Sequence, residues 1–541
     1  MGVKNLFDRF PRQQDLPSEL QIKNGDIGHD FLINGKIKTW DGPVRQIHSP
    51  VFLRKGRNLT SIPITQGAML TRREALDAVD AACSAYDGGL GVWPKMTVSE
   101  RIKHVRRFIE AMKQLRSSTV TLEMWEIAKS LKDCEIEFDR TVSYLEKTVE
   151  CLADAARDSF DDFSGSGITA LVRRAPLGMT LCMGPYNVPI FETLCTAVPA
   201  ILMGNTVVIK LPRLGILPLC NLLPALAENF PAGVVNVIDG DGQKVVTPIM
   251  ESGAPAILAF VGTSRVANII RRAHPLPNRL RKVLALDAKN PAVVLDDADI
   301  ESAVAQCVQG AFAFNGQRCT GIKHVWVHRS VESEFLTRLC TSVSELKIGM
   351  PWDNPDITPL AEPDKPRWLA KLIEDATRLG AKIINQGGDH AATLFSPAVL
   401  HPVSSNMEIA HVEQFGPVLP VTTFDKIDEV YEFVRSSNFG QQISLFGENP
   451  EALGSLIDLF ATQVSRINVN TYCRRGPDDL PFTGRKDSAE SVLSVRESLR
   501  TFSTEMVVTA EQSQGETLDM IVSGGYSKFL QKSKSRRGKG K

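Results

Sequence analysis

A cysteine in the segment FNGQRCT, residues 314–320, is the strongest candidate for a reacting group. A cysteine attacks as the thiolate, and its free pKa of about 8.5 falls when cations or helix amides lie nearby. Cys319 directly follows Arg318, in a segment too polar for a hydrophobic core. Cys182 and Cys195 instead lie in apolar runs and are interpreted as inert buried thiols. The sequence therefore predicts nucleophilic chemistry at Cys319.

The other cysteines and the histidines do not indicate a metal site or a disulfide framework. The ten cysteines include no CxxC pair, and the nine histidines include no HExxH motif. The closest histidines, His324 and His328, are predicted to lie in a strand over 323–328. We therefore expect no metal.

The elements that must position Cys319 alternate between strands and helices. Short runs rich in β-branched residues predict strands at 206–210, 234–238, 257–261 and 292–295. A second series predicts helices at 330–346 and 365–379 and strands at 381–384 and 443–446. Apolar strands joined by helices indicate parallel sheets covered on both faces. Two such α/β domains leave a cleft at the carboxyl ends of their strands, where ligands bind.

Local signals nearer the N-terminus predict a hairpin and two helices. Residues 31–38 predict a tight hairpin around an Asn-Gly dipeptide. Two capping-box spacings predict helix starts at Thr71 with Glu74 and at Thr97 with Glu100.

Five motifs occur in an order that resembles the aldehyde dehydrogenase superfamily. They are GPYNVP (184–189), GNTVVIK (204–210), FNGQRCT (314–320), EQFGPV (413–418) and PFTGRK (481–486). The resemblance covers residues 31–508, and five motifs in order are far more specific than any one alone. Within the superfamily, MWEIAK (124–129) and RGPDDLPF (475–482) most resemble the NADP-dependent, non-phosphorylating glyceraldehyde-3-phosphate dehydrogenases.

The resemblance implies an α/β fold with two tandem domains built on parallel sheets, plus a small β oligomerisation element. The implied division is a dinucleotide-binding domain at 1–151 and 176–288, a catalytic domain at 289–485, an oligomerisation element at 152–175 and 486–509, and a C-terminal extension at 510–541. Family members form dimers or tetramers, so we expect a homo-oligomer.

The resemblance also implies catalytic roles. Cys319 would attack the aldehyde carbon, giving a thiohemiacetal and, after hydride transfer to the nicotinamide, a thioester. Asn187 and the backbone amide of Cys319 would donate hydrogen bonds to the oxyanion.

The expected cofactor site departs from the usual fingerprint. Gly242 follows a predicted strand, but Val245 occupies the last position of a GxGxxG pattern. By resemblance, further contacts come from Lys210 to the adenosine ribose, Gly262 and Thr263 to the nicotinamide and pyrophosphate, Glu413 to the nicotinamide ribose, and Phe415 near the ring.

Arg213 predicts the choice of cofactor. It lies three residues after Lys210, where members that prefer NAD often carry an acid. A guanidinium pairs with a 2′-phosphate, whereas a carboxylate repels it. The sequence therefore predicts NADP over NAD.

Three arginines predict a phosphorylated substrate. Arg140, Arg318 and Arg475 match positions that clamp the substrate phosphate in phosphate-accepting relatives, and a dianionic phosphate needs such a cationic pocket. Val188 takes the place of a tyrosine found in one relative, so one donor to the phosphate is expected to be missing. The predicted substrate is glyceraldehyde 3-phosphate.

The general base of the superfamily is absent. Its Glu-Leu-Gly-Gly-Lys segment matches ALDAK at 285–289, with Ala285 in place of the glutamate. Asp287 is close in the chain, but alternation along a strand or turn does not direct it at Cys319. Hydrolysis of the thioester then needs another base, slow attack by solvent, or a different acceptor such as a thiol.

Three functions stay open at this point. One is oxidation of glyceraldehyde 3-phosphate to 3-phosphoglycerate. Another is a dehydrogenase that transfers the acyl group or runs mainly in reverse. The third is a non-catalytic dinucleotide-binding protein, against which the intact motifs argue.

Composition describes an ordinary globular chain with a basic end. Lys+Arg and Asp+Glu are equal at 62 each in 541 residues, which excludes a disordered chain and a nucleic-acid binder. Residues 527–541 hold seven basic and no acidic residues and are predicted to be disordered, which leaves a net charge of −7 on residues 1–526. No apolar run reaches the roughly 20 residues that span a bilayer, and the start lacks the apolar core of a secretory signal. We expect a cytoplasmic location.

Overall fold

The computed structural model describes residues 3–20, 22, 25–157 and 163–530. Its helices are α1 (Val3–Arg9), α2 (Arg72–Tyr86), α3 (Val98–Gln114), α4 (Arg116–Ile127), α5 (Leu131–Arg157), α6 (Pro189–Leu202), α7 (Leu217–Cys220), α8 (Leu223–Asn229), α9 (Gly242–Glu251), α10 (Ser264–Arg272), α11 (Ile300–Phe312), α12 (Glu332–Ser344), α13 (Lys365–Arg378), α14 (Glu408–His411), α15 (Ile427–Ser436), α16 (Pro450–Phe460), α17 (Val495–Thr501) and α18 (Gly515–Ser523).

The first sheet is built mainly from strands that lie before residue 290 in the chain. In order across the sheet they are β2 (Lys36–Thr39), β1 (Asp30–Ile33), β9 (Val235–Ile238), β8 (Thr206–Lys210), β7 (Met179–Met183), β10 (Pro255–Val261), β11 (Arg281–Ala285) and β23 (Ala489–Glu490). Strands β7 to β11 run parallel, and β1 and β23 pair antiparallel at the two ends of this parallel block.

Apolar side chains on both faces of β8 explain its central place. Val207 and Ile209 pack in the core cluster that includes α3 and α6, whereas Val208 packs in the cluster with α2 and α9. Successive strand residues point to opposite faces, so an apolar run can be buried only where helices cover both sides. The predicted α/β class with parallel sheets is confirmed.

The second sheet follows from residue 291 onward. Its order is β14 (Lys382–Ile383), β17 (Ala398–His401), β18 (Val418–Phe424), β13 (His324–His328), β12 (Pro291–Val294), β20 (Gln442–Phe446) and β21 (Arg466–Val469). All neighbours run parallel except the edge pair β14 and β17. The predicted strand over His324–His328 is confirmed.

Smaller sheets complete the architecture. They are β3 (Val44–Lys55) with β4 (Asn58–Ala68), β15 (His390–Ala391) with β16 (Leu394–Phe395), β19 (Phe439–Gly440) with β22 (Arg485–Lys486), and the order β24 (Thr504–Glu511), β6 (Ile168–Ala175), β5 (Phe163–Gly165). The segments expected to form the oligomerisation element, 152–175 and 486–509, supply this three-stranded sheet only in part. Residues 152–157 continue α5, and β23 completes the first sheet.

The predicted local elements are present. The hairpin turns at Asn34 and Gly35, which have φ of 54° and 73°. Both capping boxes form at the starts of α2 and α3. Near the C-terminus, Leu530 is buried beside Leu171 and Leu518, and the rest of the predicted disordered tail, residues 531–541, lies outside the described residues. Within the described ranges, no helix is both long enough and apolar enough to cross a membrane.

Candidate active site

A strained loop between α11 and β13 carries Cys319. Phe314 and Asn315 adopt φ of 51° and 57°, and Gly316 follows at 67°. This left-handed backbone costs energy for residues other than glycine and persists only where the surroundings hold it. The Asn315 side chain stabilises this conformation through two hydrogen bonds to Thr358. Its amide donates to Thr358 Oγ1 at 2.9 Å, and its oxygen accepts the Thr358 N–H at 2.8 Å.

Asn187 lies at the opposite side of the same loop. It precedes α6 and is buried, and its Nδ2 donates to the carbonyl of Gln317 at 2.8 Å. Gln317 is only two residues before Cys319. The loop that follows β7 in the first sheet therefore touches the cysteine loop that leads into the second sheet.

A buried ion cluster contacts the backbone of Asn187. Lys129 Nζ contacts Glu123 at 3.2 Å, pairs closely with Glu137, and donates to the Asn187 carbonyl at 3.3 Å. Glu137 also accepts the N–H groups of Ile190 and Phe191 in the first turn of α6, at 2.9 and 3.0 Å. Although burial alone would lower the pKa of Lys129, the two carboxylates raise it, so the lysine stays charged. The cluster fixes the start of α6.

Cys319 and Asn187 line a cavity of about 660 Å³ together with the three predicted phosphate-binding arginines. Arg140 makes a bidentate ion pair with Asp478, through Nε at 2.9 Å and Nη2 at 2.6 Å. The structure thus brings together residues that are far apart in sequence.

Arg475 is more enclosed than Arg140. Its guanidinium lies 4.7 Å from the ring centroids of both Phe191 and Phe482, and its Nη1 pairs closely with Glu192. Its Nη2 also donates to Cys195 Sγ at 3.4 Å. Cys195, predicted to be an inert thiol, is therefore a buried contact of this ion pair.

Arg318 differs from the other two arginines of the cavity. Its guanidinium lies 5.8 Å from the Tyr472 ring centroid. Within the described part of the chain this guanidinium has no hydrogen bond and no ion pair. Arg140 and Arg475, in contrast, each pair with a carboxylate.

The thiol of Cys319 is less acidic than the sequence suggested. Burial raises its pKa to about 11, helped by the negative charges of Glu192 and Glu413 and opposed by Arg475 and Lys323. Cations adjacent in sequence therefore do not decide this pKa. Burial of the loop determines it instead, so Cys319 is a protonated thiol before it reacts.

The predicted adenosine end of the cofactor site lies at the carboxyl ends of β8 and β9. Lys210 is buried there, and desolvation lowers its pKa. Arg45 reaches the same place from β3, pairing with Asp239 at 2.6 Å and donating to the Arg213 carbonyl at 3.2 Å. The Arg213 side chain is exposed. No sequence signal pointed to Arg45, which comes from a remote hairpin.

Two helix N-termini carry further residues that were predicted to contact the cofactor. Gly242 is the first residue of α9, and its neighbour Asp241 caps that helix. Thr263 caps α10, and Gly262 donates its N–H to the Ala285 carbonyl at 3.1 Å. Val245, at the expected glycine position, is fully buried in the core.

The predicted nicotinamide end lies near Glu413 and Phe415. Burial raises the pKa of Glu413 to about 7, against the opposing charge of Lys323, whose Nζ is 3.8 Å from Oε1. That Oε1 atom is buried and has no hydrogen-bond partner among the described residues. Phe415 stands edge-on to Tyr186, with ring centroids 6.1 Å apart.

A comparison with protein families matches the aldehyde dehydrogenase family model over residues 57–508. The chain belongs to the aldehyde dehydrogenase family. It is 30% identical to the NADP-dependent glyceraldehyde-3-phosphate dehydrogenase of Streptococcus equinus over 87% of this chain and 96% of that protein. The enzyme of that name from Pisum sativum is 29% identical over 77% of this chain and 84% of the pea protein.

A solved structure agrees with the fold of this aldehyde dehydrogenase. The NADP-dependent glyceraldehyde-3-phosphate dehydrogenase of Bacillus halodurans C-125, complexed with NADP, superposes with a TM-score of 0.81. It is 29% identical and covers 89% of this chain and 99% of its own. The chain is an aldehyde dehydrogenase whose relatives include NADP-dependent enzymes.

This aldehyde dehydrogenase carries no carboxylate at position 285. Ala285 ends β11 and is buried in the core. Asp287 accepts hydrogen bonds from the N–H and the hydroxyl of Ser264, both at 2.8 Å, so its carboxylate caps α10. It does not line the cavity that contains Cys319.

Two further residues of this aldehyde dehydrogenase lie beside the predicted site residues, and the sequence did not indicate either of them. Asn290 donates to the Cys319 and Gly321 carbonyls at 3.0 and 3.1 Å, and Glu192 lines the cavity beside Arg475. An asparagine before a strand and a glutamate in the first turn of a helix are ordinary features, so neither gave a signal. Over the described ranges, no group of three His, Cys, Asp or Glu residues could hold a metal ion.

Proposed function

We propose that this aldehyde dehydrogenase catalyses the NADP-dependent oxidation of glyceraldehyde 3-phosphate to 3-phosphoglycerate, with Cys319 as nucleophile. The observation that carries the proposal is a single cavity lined by Cys319, Asn187 and the three arginines. The names of the relatives from Streptococcus equinus and Pisum sativum support the same substrate and cofactor.

Cys319 and Asn187 have complementary tasks in this reaction. Cys319 Sγ gives up its proton to solvent and bonds to the aldehyde carbon, whose carbonyl oxygen becomes the oxyanion of a thiohemiacetal. Loss of a hydride from that carbon to the bound cofactor would leave the thioester. The Asn187 amide has two hydrogens, and only one is used by the Gln317 carbonyl. The second hydrogen, with the Cys319 N–H, donates to the oxyanion, a contribution of about 3–4 kcal/mol.

The cofactor-binding residues fit a phosphorylated dinucleotide. The buried Glu413 Oε1 lies 3.8 Å from Lys323 Nζ but has no hydrogen-bond partner among the described residues, so it accepts a hydrogen bond from a ribose hydroxyl. Lys210 and the exposed Arg213 stand at the adenosine end, where Arg213 pairs with a 2′-phosphate. When bound, the nicotinamide supplies the hydride acceptor.

The three arginines have different roles at the substrate phosphate. Arg318 offers a guanidinium without an ion pair in the described chain, and Arg140 keeps Nη1 available while Nε and Nη2 hold Asp478. Arg475 is committed to Glu192 and to two aromatic rings. We assign direct phosphate contacts to Arg318 and Arg140, with Arg475 as the inner wall.

The test is a single-turnover reaction. Enzyme in excess over NADP is mixed with glyceraldehyde 3-phosphate, and NADPH is followed by absorbance. Stoichiometric NADPH from the wild type and none from Cys319→Ala is the expected result. Absence of NADPH from the wild type would contradict the proposal and favour a non-catalytic binding protein.

A second candidate function follows from Ala285. An aldehyde dehydrogenase without the usual base can retain the thioester until a carrier thiol accepts the acyl group, or can run in reverse. Addition of a thiol acceptor to the steady-state reaction distinguishes this candidate, because it accelerates turnover only where hydrolysis is slow.

We also propose a cytoplasmic homo-oligomer, a dimer or a tetramer. The three-stranded sheet leaves Val507 and Phe163 more than half exposed, at 55% and 54%. An apolar sheet edge of this kind is stabilised by pairing with another copy. Light scattering of the full chain gives the mass of the assembly, and a monomer contradicts the proposal.

A further inference from the structure

One carboxylate of the cavity, that of Glu192, is buried beside Arg475. Glu192 lies in the first turn of α6, five residues after Asn187, and its side chain is 8% exposed. It lines the same cavity as Cys319. After burial, its negative charge is the strongest influence that raises the pKa of the Cys319 thiol, so the two groups interact.

The other carboxylates of the cavity have different partners. Glu137 is held by Lys129 and by two backbone N–H groups of α6. Asp133 accepts the Ser130 hydroxyl at 2.7 Å, and Asp356 accepts the Lys347 N–H at 2.8 Å. Among these carboxylates, Glu192 contributes most to raising the pKa of the Cys319 thiol.

The contacts of Glu192 leave one oxygen available. Oε1 pairs closely with the Arg475 guanidinium. Among the described residues, Oε2 receives only a long contact of 3.6 Å from the Cys195 thiol. A thiol is a weak donor, so a water molecule competes for Oε2 at little cost.

We propose that Glu192 is the general base that activates the water for thioester hydrolysis. It would take the role of the glutamate that this chain lacks at position 285, where it has Ala285. The inference rests on the proposed function, since it requires a thioester on Cys319.

The step balances without any further reactant. Glu192 Oε2 takes a proton from water while the water oxygen bonds to the thioester carbon. The C–S bond breaks as the tetrahedral intermediate collapses, and Cys319 Sγ regains a proton from Glu192. The product acid leaves with the oxygen of water and ionises in solvent. No electrons are exchanged in this step.

The test compares the wild type with Glu192→Gln, a variant that keeps the size of the side chain but cannot take the proton. After mixing with NADP and glyceraldehyde 3-phosphate, NADPH is followed by absorbance and acyl-Cys319 by mass spectrometry of acid-quenched enzyme. Glu192→Gln is expected to form NADPH in the first turnover and to accumulate acyl-enzyme. Its steady-state rate should fall by about 100-fold or more.

Chemical rescue separates a base from a structural role. Hydroxylamine attacks a thioester without a protein base, so it should restore turnover to Glu192→Gln. Glu301→Gln, an exposed glutamate on α11, is the matched control and should behave as the wild type. Should Glu192→Gln not fold, the double variant with Arg475→Gln leaves no unpaired buried cation and undergoes the same measurements.

The results distinguish the two proposals. Rapid steady-state turnover by the Glu192 variant, or loss of first-turnover NADPH with no acyl-enzyme and no rescue, overturns the role of Glu192 alone. Absence of NADPH from the wild type overturns the proposed function, and the role of Glu192 with it.

Discussion

The side-chain amide of Asn290 donates a hydrogen bond of 3.0 Å to the main-chain carbonyl of Cys319. The same amide donates to the Gly321 carbonyl at 3.1 Å, and its oxygen accepts the N–H of Gln442 at 3.0 Å. One buried side chain therefore joins the cysteine loop to the start of β12 and to β20. We therefore expect the position of Cys319 to depend on this asparagine.

Replacement of Asn290 should therefore affect both stability and turnover. Asn290→Ala leaves buried backbone groups without partners, at about 1–3 kcal/mol for each group that stays unsatisfied. Urea unfolding measures that loss, and NADPH formation measures the fall in turnover as the Cys319 backbone shifts.

Asn385→Ala is the matched control for this prediction. Asn385 makes similar bonds, donating to the Pro397 carbonyl at 2.8 Å and accepting the Val399 N–H at 2.9 Å, outside the cavity. It should lose stability and keep turnover. Equal turnover in the two variants would show that Asn290 does not position Cys319.

The raised pKa of Cys319 predicts the pH dependence of alkylation. Burial and two carboxylates place this pKa at about 11, so the reactive thiolate is scarce at pH 7 and increases with each rise in pH towards that value. The rate of iodoacetamide modification of the free enzyme, read at the Cys319 peptide, should still be increasing at pH 9.5. A plateau below pH 8 contradicts the raised pKa.

Arg318 should determine the preference for a phosphorylated aldehyde. Its guanidinium has no ion pair in the described chain, so Arg318→Ala removes a ligand contact without orphaning a carboxylate. A charge-assisted contact of about 2–3 kcal/mol predicts a loss of roughly 30–150-fold in kcat/KM for glyceraldehyde 3-phosphate. Turnover of unphosphorylated glyceraldehyde should change little. Equal losses with both aldehydes contradict a phosphate contact, and exposed Arg367→Ala is the control.

Arg213 should determine the preference for NADP. Arg213→Asp replaces a cation by a carboxylate at an exposed position, so it repels the 2′-phosphate while the fold is kept. We expect kcat/KM for NADP to fall by at least about tenfold, while NAD is affected much less. Arg106→Asp, on the exposed side of α3, serves as the control. An unchanged ratio of the two cofactors would place the phosphate elsewhere.

Local features of the sequence predicted most of the fold because their causes are local. The run Thr206–Lys210 begins with four consecutive β-branched residues, TVVI, and it forms β8 with the predicted bounds. The capping box of Thr97 needs only a glutamate three residues later. Backbone sterics and short-range hydrogen bonds act within a few residues, so such patterns can be read from the chain alone.

The site was predictable as a set of residues but not as a network. The order of the motifs was enough to identify Cys319, Asn187 and the three arginines as candidate site residues. The sequence could not pair Arg475 with Glu192, which is 283 residues away along the chain. Ion pairs of this separation form only after the sheets and helices have packed.

By itself, the sequence determined the α/β class and the absence of a glutamate at position 285, and it predicted Cys319 as the nucleophile. Tertiary structure decided that Asp287 caps α10, that Glu192 lies in the cavity and that the Cys319 thiol is less acidic than a free one. The physical reason is burial. Desolvation and through-space charge depend on which distant segments enclose a group, and neither its neighbours in sequence nor its residue type specifies them.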